Sequence, residues 1–221
     1  MEAVLVISAD STSLRFAAYD GTSPGELSLI GKGHVALSGA DVEFFVRNAT
    51  SSHPEIMRSK PADGAFDHDH AIGKMHRWVD RHCGLKLIAI AHAATHRAER
   101  YPASALVTAE VLSDLEASTP RHEAHYLKAM RVLLERLPTV PHVACFDSAT
   151  RGASLHVVHA DEPAPEAPVA AKSADREKSI AADALRCIER TPTNATIHAF
   201  PAPAPEPRRE SYPAVSLALT G

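Results

Sequence analysis

Cysteine is scarce in this chain of 221 residues, and its three cysteines lie far apart. An odd number of widely spaced cysteines is typical of reduced thiols rather than of a disulfide framework. No apolar run approaches the roughly 20 residues that span a bilayer. The N-terminus also lacks the basic segment and cleavage site of a secretory signal. We therefore expect a cytoplasmic protein that does not insert into a membrane.

Basic residues are also fewer than acidic residues. The chain has 23 lysines and arginines against 27 acidic residues, a formal net charge of −4 with neutral histidines. Such a balance argues against nucleic acids and anionic membrane surfaces as partners. The hydrophobic content of 45% is enough for one well-formed core.

The first twenty residues carry the most specific pattern. An apolar β run from Val4 to Ile7 enters a polar turn over residues 8–13, and a second β run follows from Leu14 to Tyr19. A turn dense in hydroxyls between two strands can direct backbone N–H and side-chain O–H groups at a phosphate. A polar turn without any ligand explains the same residues equally well.

Hydrophobic periodicity predicts an α/β domain of the ribonuclease-H type. Glycine-rich segments at 21–25 and 31–33 are expected to separate three opening strands, and residues 41–66 to be irregular except for a short strand at 42–46. The further predicted elements are helices at 69–81, after Thr108, at 122–137 and at 173–189, and strands at 85–91 and 142–146.

Several segments resemble the acetate kinases of the sugar kinase, Hsp70 and actin superfamily. The opening VLVISADSTSLRF is similar to their strand followed by N-A-G-S-S-S-L-K. The segment AHAATHRAERY from Ala91 is similar to G-H-R-V-V-H-G-G-E-R-Y, and CFDSA from Cys145 to a strand ending in F-D-T-A. KSADREKSIA from Lys172 is similar to the family's final helix, P-T-D-E-E-x-x-I-A. The matches fall in register, so chance similarity is a poor explanation.

The resemblance implies a domain organisation. Residues 1–150 correspond to the family's N-terminal domain, and residues 151–190 to a linker and a helix that returns to the same domain. Residues 191–221 are rich in proline and are expected to be disordered. Most of the family's second domain has no counterpart in this sequence.

The resemblance also implies site residues for phosphoryl transfer between ATP and acetate, with Mg²⁺ as the metal. Asp147 and Arg15 match catalytic positions, and Ser11, Ser13 and Arg15 match the phosphate-binding positions. Ser8 and Asp147 match the surroundings of the metal. His92 and His122 match substrate-binding positions. The alternative for Asp147 is a cap on the following turn, and the alternative for His122 is a solvated helix start.

Three departures from the family pattern argue against activity. Ala93 replaces the arginine that holds the carboxylate substrate, so the bidentate clamp is lost. Asp10 replaces a glycine beside the phosphate and adds bulk and negative charge. Arg176 stands where the family has a metal-binding glutamate, with Glu177 one residue away.

We therefore expect an acetate-kinase-family protein with little or no kinase activity. Two alternatives stay open. One is a non-catalytic module that binds a protein partner, and the other is a phosphotransferase completed by a partner chain or a homodimer.

A histidine-rich segment lies outside the resemblance. Asp67, His68, Asp69 and His70, with His76 and His82 further on, suggest a metal site. Their spacing does not place them on one helical face, so a solvated helix start is the favoured interpretation.

Overall fold

The computed structural model describes residues 2–23, 26–38, 40–60, 66–83, 86–94, 101, 104–121, 124–146 and 167–190. The strands are β1 (Glu2–Ala9), β2 (Ser13–Asp20), β3 (Ser28–Ser38), β4 (Asp41–Asn48), β5 (Glu55–Ser59), β6 (Lys86–Ala94), β7 (Ser104–Leu106) and β8 (His142–Phe146). The helices are α1 (His68–Cys83), α2 (Ala109–Ser118), α3 (His125–Arg136) and α4 (Ala167–Arg190).

All eight described strands form one mixed sheet in the order β5-β4-β3-β2-β1-β6-β8-β7. Strands β1 to β5 pair antiparallel in chain order, whereas β6 runs parallel to β1 and to β8. Helix α1 separates β5 from β6, and α2 and α3 separate β7 from β8. This arrangement confirms the predicted α/β class.

Helices cover both faces of the sheet. On one face, Phe16 and Phe44 pack with Ile72, Met75 and Trp78 of α1. Helices α2 and α3 extend this layer over β6 and β8. On the other face, α4 packs against β1, β2, β6, β7 and β8 through Ile180, Ala181 and Ala184. Alternation along the strands explains this division, because successive side chains point to opposite faces.

The structure corrects two expectations about the first sixty residues. Residues 41–66 are not mainly irregular, because β4 and β5 lie within them. Gly31 and Gly33 do not end a strand but lie inside β3. A Cβ at Gly33 would clash with the Phe45 carbonyl oxygen and come within 2.7 Å of the Phe16 ring, and one at Gly31 would come within 2.8 Å of Trp78. The two glycines thus make room for the aromatic core.

In the histidine-rich segment, Asp67, Asp69 and His70 are exposed, as expected of a solvated helix start, and His68 is the exception. His68 begins α1 and is buried, and its Nε2 lies 2.9 Å from the carbonyl oxygen of Asp10. His76 pairs with Asp80, and Asp69 with Arg136. Within the described residues, no three His, Cys, Asp or Glu side chains lie close enough to hold a metal ion.

Candidate functional site

One cavity lies between α4 and the sheet, where β1 and β6 reach their carboxyl ends. Its volume is about 20 Å³, which is room for about one water molecule. Its lining residues are Val6, Ser8, Arg15, Phe16, Ala93, Arg176, Glu177 and Ile180. We refer to it as the α4 cavity.

The sheet brings three residues singled out in the sequence to this cavity. Ser8 and Arg15 are direct cross-strand partners in β1 and β2. Ala93 reaches the same face from β6, because Ile7 pairs with His92 and the following residues therefore lie side by side. The position that the resemblance assigns to a substrate-binding arginine thus lies beside Ser8 and Arg15. Its side chain here is a methyl group, 8% exposed.

Helix α4 supplies the charges opposite the sheet. Burial lowers the pKa of the Arg15 guanidinium, an effect that the carboxylates of Asp10 and Glu177 oppose. Burial also raises the pKa of the Glu177 carboxyl group, and the nearby cations Lys32, Arg15 and Arg176 oppose that rise. The Oε2 atom of Glu177 forms no hydrogen bond within the described part of the chain. An acidic and a basic side chain of α4 therefore stand beside Arg15.

The hydroxyl-rich turn between β1 and β2 is organised by Asp10. One carboxylate oxygen accepts hydrogen bonds from the backbone N–H groups of Thr12 and Ser13, at 2.9 and 2.7 Å. The other oxygen accepts a bond from the Ser13 hydroxyl at 2.7 Å. Ser11 is exposed at the tip of the turn. The donors predicted to bind phosphate at Ser13 are therefore engaged by a carboxylate of the chain itself.

His92 lies on the other face of the sheet. It is 2% exposed, and its ring stacks on that of His142 with centroids 5.3 Å apart. His142 Nε2 donates to the Leu137 carbonyl oxygen at 3.1 Å, so its Nδ1 accepts from His92 Nε2 at 3.0 Å. Burial holds the pKa of His92 well below its usual range and lowers that of His142 to about 4. The position of His92 gives its predicted substrate role no support.

Two further predicted residues, Asp147 and His122, lie outside the described residues. The structure instead adds Arg176 and Glu177 of α4 to the site. The sequence carried a signal for them, since the resemblance places a metal-binding glutamate of the family at position 176. Their closeness to Arg15 depends on how α4 packs on the sheet, which periodicity alone does not reveal.

The described residues do not fit the Mg²⁺ ion that the resemblance implies. Ser8 and Glu177 offer the oxygen ligands that Mg²⁺ prefers, but this ion keeps several waters in an octahedral shell. The α4 cavity has room for about one water molecule and is bordered by two arginines, Arg15 and Arg176. We assign no catalytic step to a metal here.

The fold and the site together define a class of protein. Antiparallel β1 to β3 followed by parallel β6 and β8, with helices on both faces, is a mixed α/β fold that solved acetate and propionate kinases share. The model of the acetokinase family matches residues 3–155. The chain belongs to the acetokinase family.

Individual relatives agree with this assignment. Acetate kinase of Nitrobacter hamburgensis is 29% identical over 152 residues, covering 67% of this chain and 37% of the relative. Acetate kinase of Rhizobium meliloti is 31% identical over 160 residues, which cover 71% of this chain and 40% of the relative. This chain therefore spans about two fifths of the length of these curated relatives.

Solved structures share the fold at low sequence identity. A propionate kinase from Francisella tularensis matches with a TM-score of 0.57 at 20% identity, covering 67% of this chain and 38% of that one. Acetate kinase of Porphyromonas gingivalis also matches with a TM-score of 0.57, at 17% identity, covering 80% of this chain and 44% of that one. At this identity the likeness extends to the fold alone. Within the described residues, no helix is long and apolar enough to cross a membrane.

Proposed function

We propose that this chain is an acetokinase-family domain that has kept the fold of a carboxylate phosphotransferase without its catalysis. The observation that carries the proposal is the α4 cavity. It has Ala93 at the position that the resemblance assigns to the arginine clamp, and a volume of about 20 Å³. Acetate together with a transferring phosphoryl group needs several times that space.

Electrostatics at the same place support the proposal. Phosphoryl transfer depends on cationic groups that gather the phosphoryl oxygens and the acceptor. Arg15 is the positive side chain that the sheet provides at the α4 cavity, and Glu177 stands beside it. The Ser13 donors are engaged by Asp10. An incoming phosphate would have to displace a carboxylate at each of these places.

Packing makes simple repair of the site unfavourable. Ala93 and Ile180 line the same small cavity, so an arginine at position 93 has no space while α4 stays in place. Overpacking of this kind typically costs about 1–3 kcal/mol. The small cavity is therefore bordered by core side chains of both the sheet and α4.

Acetate binding tests the proposal directly. NMR titration of the labelled chain with acetate and with acetyl phosphate should leave the amide signals of Ser8, Arg15 and Ala93 unchanged. A full-length acetate kinase is the positive control for ligand quality. Saturable shifts at these three amides would contradict the proposal, because they would show an open carboxylate site under α4.

A further inference from the structure

A second groove lies on the sheet face that carries α4, where β3 begins and β4 ends. Its volume is about 450 Å³, within the range of small-molecule sites. Lys32 and Arg47 provide its charge, Asn48, Ser51 and Ser52 its polar groups, and Leu29 an apolar wall. The described residues that line it include no carboxylate. We call it the Lys32–Arg47 groove.

The two cations are held directly opposite each other. Lys32 of β3 and Arg47 of β4 are cross-strand partners in the sheet register, so both side chains project from the same face. Like charges at directly opposed positions destabilise a sheet. Among the described residues, neither side chain has an ion-pair or hydrogen-bond partner. The Glu177 carboxylate of α4 interacts electrostatically with Lys32. Glu177 lines the neighbouring α4 cavity and is not among the residues that line the Lys32–Arg47 groove.

Uncommitted hydrogen-bonding groups stand next to these charges. The turn after β4 is closed by a bond from the Ser51 N–H to the Asn48 carbonyl oxygen at 3.2 Å. The Ser51 hydroxyl donates to the His53 carbonyl oxygen at 2.9 Å. The side chains of Asn48 and Ser52 make no hydrogen bond to another described residue, and both line the groove. An amide and a hydroxyl are thus available as donors to an anion between the two cations.

We propose that the Lys32–Arg47 groove binds a small phosphate monoester. A phosphate monoester carries about −1.5 to −2 charges at pH 7, which matches two cations, whereas a simple carboxylate carries one. Arginine and lysine to phosphate are strong, charge-assisted contacts. Leu29 and Ala49 offer an apolar surface to the organic part of the ligand. Binding relieves the repulsion between the cations, so the ligand stabilises the folded chain.

NMR titrations with glycerol phosphate, inorganic phosphate and acetate, at ionic strength held constant with chloride, test this proposal. Both phosphates should give saturable shifts at the amides of residues 32 and 47–52, and acetate should bind at least about tenfold more weakly. Glycerol phosphate binding no better than inorganic phosphate would remove the role of the apolar wall. Equal, unsaturable shifts with all three anions would overturn the proposal, as would shifts centred on Ser8 and Arg15. The latter would also contradict the closed α4 cavity, whereas failure of this groove alone would not.

Charge-removing variants separate a ligand site from a structural feature. Lys32→Gln and Arg47→Gln should each weaken glycerol phosphate binding about tenfold or more. Arg81→Gln, which removes an exposed charge from α1, should leave it unchanged. Without ligand, Arg47→Gln should melt at the same or a higher temperature than the unsubstituted chain, because Arg47 has no carboxylate acting on it among the described residues. In both variants the upward shift caused by glycerol phosphate should disappear. Lower melting temperatures with an undiminished ligand shift would refute the site.

Discussion

Asp10 shows how a single side chain organises the β1–β2 turn. Its carboxylate accepts four hydrogen bonds, from the N–H and hydroxyl groups of Thr12 and of Ser13. The backbone carbonyl oxygen of Asp10 accepts a hydrogen bond from Nε2 of the buried His68. A glycine at this position would leave those donors free, and the chain would have to satisfy them with water or a ligand. Asp10, which in the sequence argues against phosphate binding, therefore makes hydrogen bonds that hold the turn together.

Replacing Asp10 with alanine should destabilise the chain by about 1–3 kcal/mol, because the buried Ser13 hydroxyl loses its acceptor. Asp20 is a matched control, since its carboxylate accepts from the Thr22 N–H and hydroxyl in an exposed turn. Asp20→Ala should cost well under half as much. Urea unfolding of both variants measures the difference. Equal losses would mean that the Asp10 bonds contribute no more than a surface turn does.

The His92–His142 pair makes stability depend on pH. His142 has a pKa of about 4 in the folded chain, below the 6.5 of a free histidine, and a difference of this size corresponds to about 3 kcal/mol. Because the folded pKa is the lower one, this stabilisation is complete above pH 6.5 and is lost as the pH falls toward 4. Unfolding free energies measured from pH 7 to pH 4 should therefore decrease steadily.

The double variant His92→Leu, His142→Leu isolates this effect. It removes both titrating rings together, so no single buried imidazole is left without its partner. Its unfolding free energy should vary less over the same pH range than that of the unsubstituted chain. An identical pH profile for the two proteins would show that carboxylates alone govern the acid response.

At the scale of elements, α4 contributes both to the core and to the lining of the α4 cavity. It buries Ile180, Ala181 and Ala184 against the face of the sheet that carries Ser8, Arg15 and Ala93. Cys145 of β8 lies against it as well, with Sγ 3.7 Å from the Ile180 carbonyl oxygen. The same helix places Arg176 and Glu177 at the α4 cavity. Helix α4 therefore completes this layer of the core and borders the α4 cavity.

Ile180→Ala should lower the free energy of unfolding by about 2–5 kcal/mol, the usual cost of truncating a fully buried aliphatic side chain. Ser179→Ala alters an exposed neighbour on the same helix and should change stability by no more than about 0.5 kcal/mol. Chemical denaturation of the two variants provides the comparison. An unchanged Ile180→Ala protein would mean that α4 does not pack on the sheet in solution.

Local patterns in the sequence predicted most elements, and they failed where tertiary packing decides. The apolar faces of α1, α3 and α4 identified helices that the structure contains, at boundaries shifted by a few residues. Gly31 and Gly33 were interpreted as a turn, because glycine favours turns locally. Their role in β3 is set by Phe16 and Trp78, which are distant in sequence. Strand β5 was missed because its residues are mostly exposed and show little alternation.

At the scale of the whole molecule, the family could be predicted from the sequence, whereas the size and lining of the α4 cavity could be predicted only in part. Motifs in register identified the acetokinase family, which the match over residues 3–155 confirms. The alanine at position 93, where the resemblance places an arginine, is also visible in the sequence. The small volume of the α4 cavity and the approach of Glu177 to Arg15 are not, because both depend on where α4 lies against β1, β2 and β6.

Acetate-dependent formation of ADP from Mg-ATP, followed in a coupled assay with the purified chain, tests the central claim most directly. The closed cavity and the missing arginine predict no rate above the blank without acetate, under conditions where a full-length acetate kinase is active. Turnover of about 1–100 per second, in the common range of enzymes, would contradict the account if Arg15→Ala abolished it. That result would place a working phosphotransferase site where the structure has a packed helix.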